Sequence, residues 1–103
     1  PNLTNLTNIN KNFDFNLYYL FRLKAELSAV LGNFIQQNFY IANAMILEGK
    51  FQAALTQLEM IKNQQNYQNQ NSKKENFYLL SQVEAKILQL KNYLKNNPPE
   101  NMQ

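Results

Sequence analysis

The chain holds only two glycines, Gly32 and Gly49, and each falls between two stretches whose apolar residues recur at helical spacing. Glycine takes a positive φ without a Cβ clash, which suits it to the position just past a helix end. The stretch ILEGKFQAALTQLE, residues 46–59, carries the stronger constraint. Two helices that fold back on each other over a turn as short as Gly49-Lys50 need that backbone freedom. They also need small residues where the backbones approach. Ala42, Ala44, Ala53 and Ala54 fit that need, and Met45, Phe51 and Leu58 are large enough to lock the crossing.

The same periodicity runs along most of the chain. A first helix is predicted over 15–31, with Asp14 as N-cap. Leu17, Leu20, Phe21, Leu23, Leu27, Val30 and Leu31 give it a wide apolar face, widened further by Tyr18 and Tyr19. Gly32-Asn33 reads as a stop and restart, with Asn33 and Gln36 forming a capping box; the competing reading is one long helix through Gly32. The second helix is expected over 34–48, with Phe34, Ile35, Ile41, Ala42 and Met45 as its main face. The third spans 51–64, with a stripe of Phe51, Ala54, Leu55, Leu58 and Ile61.

The polar run NQQNYQNQNSKK then reads as a loop. Ser72 and Glu75 make a second capping box at the start of a fourth helix, which runs to about residue 95. Its stripe is Phe77, Leu80, Val83, Ile87, Leu90 and Leu94, and Pro98-Pro99 forbids continuation. No strand-like alternation occurs. The fold class is therefore all-α, a four-helix antiparallel bundle or short α-solenoid over 13–96. A flexible Asn-rich arm (1–12) precedes it and a flexible tail (97–103) follows.

Composition removes several function classes. With neither cysteine nor histidine, the chain lacks disulfides, thiolate ligands, the strongest nucleophile and the commonest general base. The acids Asp14, Glu26, Glu48, Glu59, Glu75, Glu84 and Glu100 are scattered, and no Gly-rich phosphate loop is present. No enzyme, no metal site and no cofactor is expected. No apolar run approaches the roughly 18–20 residues of a membrane span. Asn2 and Asn5 stand in Asn-x-Thr sequons, but the polar N-terminus shows no signal-peptide pattern. An intracellular location, cytoplasmic or organellar and not secreted, is the expectation.

Around Gly49 the pattern resembles the tetratricopeptide repeat. Ile41-Ala42 match that family's large-small pair and Met45 its bulky position, while Gly49, Phe51, Ala54 and Leu58 follow in register. The match covers about one divergent repeat, residues 38–66. It departs from the family at Asn38, where a Trp-like residue is usual, at Ile61, a small position, and at Asn66, the terminal Pro. The microtubule-interacting-and-trafficking domain and the CTLH-type hairpin share parts of the signature. The resemblance implies a helix pair whose first member lines a concave partner-binding groove, through Gln36, Phe39, Tyr40, Asn43 and Leu47.

Excess hydrophobicity points the same way. The first helix carries Phe13, Phe15, Tyr18, Tyr19 and Phe21 around much of its circumference. Either it is central to the bundle or it docks on another chain, which makes Tyr18 and Tyr19 candidate contact residues. The expected function is a non-enzymatic scaffold, adaptor or accessory subunit that binds a protein partner or copies of itself. The alternative is a small basic nucleoprotein subunit. Net charge is +3, with six of the ten basic residues from Lys62 onward. Lys73, Lys74, Lys86, Lys91 and Lys95 would then touch RNA or DNA phosphates, with Tyr67, Tyr78 and Tyr93 stacking on bases.

Overall fold

The structure is a computed structural model that describes residues 13–68 and 74–98, with side chains described over 13–64 and 77–98. Four helices follow in order: α1 Phe15–Val30, α2 Phe34–Leu47, α3 Phe51–Gln68 and α4 Lys74–Asn96. Among the described residues there is no strand. The arm 1–12, the Ser72 cap and residues 99–103 of the tail lie outside the described residues.

The local rules that start and stop these helices are visible atom by atom. The Asp14 carboxylate accepts from the Leu17 amide at 2.9 Å and opens α1. The Asn33 side chain accepts from the Gln36 amide at 3.0 Å and opens α2. Both helix ends preceding a glycine close in the same way. The Gly32 amide donates to the Ala29 carbonyl and the Asn33 amide to the Ser28 carbonyl. Gly49 donates to Ile46, and Lys50 to Met45. This is the Schellman pattern, and the glycines sit at φ +72° and +79° as it demands.

The chain therefore breaks at Gly32, and the long-helix reading is excluded. Only half of the expected capping box forms there. The Asn33 amide is already committed to Ser28, so the Gln36 side chain turns instead to the Ser28 hydroxyl, 3.4 Å away.

Each helix packs on its neighbour in sequence, and α2 also touches α4, while α1 touches α2 alone. The core lies between α2, α3 and α4: Ile35 and Ala42 meet Ala54, Leu55, Leu58 and Ile61, with Leu80, Val83, Ile87 and Leu90 closing the third side. Ala42, Ala54 and Leu58 are fully buried, so α2 and α3 do cross closely through small residues. Ala53 is not one of them, because it faces solvent. Ala44 is buried outside that core, and with Ala25 and Ser28 it makes the thin seam between α1 and α2.

Three further expectations need correction. The leucines of α1 do not face the core. Only Ala25 and Ser28 of that helix are buried, and α1 sits at the edge of the protein. Phe77 heads the α4 stripe by spacing but is 73% exposed. Finally, α3 continues past residue 64 to Gln68, since asparagine and glutamine make a polar run but contain no helix breaker.

Candidate partner-binding groove

Helix α2 is held on three sides. Ile35, Asn38 and Ala42 turn toward α3, Ala44 toward α1, and Phe39 toward α4. At 100° per residue, Gln36, Phe39, Tyr40, Asn43 and Leu47 share the fourth side, and all five are half-buried. Five of the seven residues singled out from sequence thus form one surface. Tyr18 and Tyr19 do not belong to it. Tyr18 packs in an aromatic cluster at the start of α1, 5.4 Å from the Phe13 ring and 5.6 Å from the Tyr19 ring. Tyr19 points outward from α1.

The walls of the groove come from the flanking helices. On the α1 side, the Phe21 ring stacks on Tyr40 at 6.2 Å, and the Lys24 ammonium lies 5.5 Å from the centre of the Tyr40 ring. A cation held over an aromatic face in this way is stabilised by the ring quadrupole. On the α4 side, Gln82, Ala85, Lys86 and Gln89 line a depression of about 280 Å³ against Phe39. The floor is stiff: Phe39 and Tyr40 rings meet edge-on at 5.8 Å, and the Asn43 amide donates to the Phe39 carbonyl at 2.9 Å.

The electrostatics follow from this list. The lining contains two lysines, several amides and no carboxylate. Among the described acids, Asp14 caps α1, Glu26 lines a separate depression with Arg22 and Gln37, Glu48 pairs with Lys50 at 3.6 Å beside the turn, and Glu59 pairs with Lys91 at 3.4 Å across α3 and α4. An open, shallow depression of this size does not enclose a small molecule. It offers a trough to a chain segment. Among the described residues no three Asp, Glu, His or Cys side chains come together as a metal-ligand set.

Two of the lysines proposed for nucleic acid are placed on different faces of α4. Lys86 lines the groove, whereas Lys91 is tied to Glu59 on another face of α4. Lys73 and the side chains of Lys74 and Tyr67 lie outside what is described.

Sequence reasoning missed two buried polar residues, Ser28 and Asn38. Asn38 is buried, donates to the Phe34 carbonyl at 2.9 Å and accepts a hydrogen bond from the Gln57 amide of α3. Its polarity gives no hint of burial. Its signal was positional: Asn38 falls one turn before Ala42, at the place where the resembled repeat carries a Trp-like residue.

Among the described residues no helix is long and apolar enough to cross a membrane. Comparison of the chain with protein-family models, with curated proteins and with solved structures finds no match.

Proposed function

We propose that this protein is a non-enzymatic interaction module of tetratricopeptide-like design. It holds a segment of a partner protein along the open side of α2. The observation that carries this reading is the contact order of the helices. Among the described residues α2 is packed by α1, α3 and α4, and the side of α2 that carries Gln36, Phe39, Tyr40, Asn43 and Leu47 stays half-buried. Solenoid repeats expose their binding surfaces in the same manner.

The chemistry of that side supports a particular kind of ligand. Phe39, Tyr40 and Leu47 offer apolar contact, Gln36 and Asn43 offer hydrogen bonds to a peptide backbone, and Lys24 and Lys86 flank them with positive charge. A segment with an apolar anchor and nearby carboxylates is the complementary occupant.

The test begins with peptides selected against the full chain from a random display library. Selected sequences should be enriched in acidic residues beside an apolar one. Phe39→Asp should abolish their binding while far-ultraviolet circular dichroism stays unchanged. Lys24→Glu with Lys86→Glu should weaken binding and flatten its salt dependence. Peptides that bind the Phe39→Asp variant as well as the parent protein would refute the groove.

A further inference from the structure

The depression beside Phe39 is a shallow seat for one side chain. Its volume of about 280 Å³ falls below the roughly 300–1,000 Å³ of sites that enclose a drug-sized molecule. One wall is the Phe39 ring, which packs against the core from α2. The other wall is a patch of α4 with Ala85 at its centre. Gln82 and Gln89 stand one turn before and one turn after Ala85, and Lys86 stands next to it. Of these four, Ala85 alone has a short side chain, so a longer one there would extend into the depression.

The lining discriminates among the side chains that could enter. An arginine or lysine would meet the Lys86 ammonium, which has no ion-pair partner among the described residues. A carboxylate or amide would leave the Phe39 ring without apolar cover. A leucine or phenylalanine would cover the ring, but would displace water from Gln82 and Gln89 without replacing its hydrogen bonds.

A tyrosine meets both demands. Its ring can pair with Phe39 in an edge-on or offset arrangement. Its hydroxyl can donate to a glutamine oxygen and accept from a glutamine N–H, whereas a tryptophan could only donate. Its π-face also attracts the Lys86 ammonium.

We infer that the partner segment anchors itself through a tyrosine side chain seated between Phe39 and Ala85. The inference rests on the reading of the open side of α2 as a partner-binding surface and adds the identity of the anchor. Ala85 sets the specificity by being small, and Gln82 and Gln89 set it by pairing with the phenol.

Peptides selected from a random library on the full chain test the inference, with calorimetric titration of a selected peptide to measure each change. Tyrosine should be enriched at one position beside the acidic residues. Replacing that tyrosine by phenylalanine should weaken binding roughly tenfold. Ala85→Leu should abolish binding with helicity retained, because position 85 is exposed and leucine is a good helix former. Gln82→Leu with Gln89→Leu should erase the preference for tyrosine over phenylalanine. A general loss of structure would weaken both peptides alike. If Ala85→Leu fails to fold, the glutamine pair alone decides. Peptides that are lost in Phe39→Asp, yet bind equally well with leucine in place of tyrosine, overturn the anchor and leave the groove standing. So does a preference for tyrosine that survives in the double leucine variant. A selection that yields no peptide sensitive to Phe39→Asp removes the groove and the anchor together.

Discussion

Gly49 shows how a single residue sets the direction of the chain. Its φ of +79° lies in the left-handed region, and a Cβ built there meets no atom within 4 Å. The cost of replacing it is therefore conformational, without a steric clash. Gly49→Ala should lower stability by about 1 kcal/mol, and Gly49→Asn by less, because asparagine tolerates this conformation. Urea titrations of the two variants measure the difference.

Asn38 makes the opposite point. Its amide joins α2 to α3 through Gln57 and sits where the core would accept an apolar side chain. Asn38→Ala should cost about 1–3 kcal/mol, since it removes both bonds and opens a void. A double-mutant cycle with Gln57→Ala isolates the shared bond. The caps and glycines were readable because each acts through its own backbone. Asn38 was not, because burial of an amide depends on a partner nineteen residues away.

At the scale of elements, α3 and α1 bracket what periodicity reveals. The stripe of α3 has one apolar side, and Ala54, Leu55, Leu58 and Ile61 are all buried as its spacing predicts. In α1 the apolar residues go nearly all the way round, and spacing cannot say which side meets the protein. The outcome follows from packing distance. Ala25, Ser28 and Ala44 let two backbones come close, which leaves the leucines on the outside. The helix is thus fastened on one side, against α2. Its amides should exchange with deuterium faster than those of α3, which mass spectrometry reads.

For the whole molecule, the all-α class followed from four helical stripes and the absence of strand alternation, but the arrangement of the helices did not. A bundle and a solenoid share the same stripes and differ in which helices touch. The radius of gyration of 15.6 Å exceeds the about 13 Å of a compact chain of this length, and the body measures 55 × 31 × 18 Å. The protein is a thin slab. Among the described residues no helix lies over the open side of α2 or the outer side of α1. Of the candidate site, the five α2 residues were legible because one helical face gathers them. The walls were not, because Lys24 and Lys86 are brought together only by the packing of α1 and α4 on either side of α2.

The neighbour-to-neighbour order of the helices also governs how fast such a chain can find its shape. Each hairpin closes a short loop before any distant segment must arrive, so the entropic barrier to assembly is low. A chain of this kind can begin to order from the α2–α3 turn while its ends are still searching.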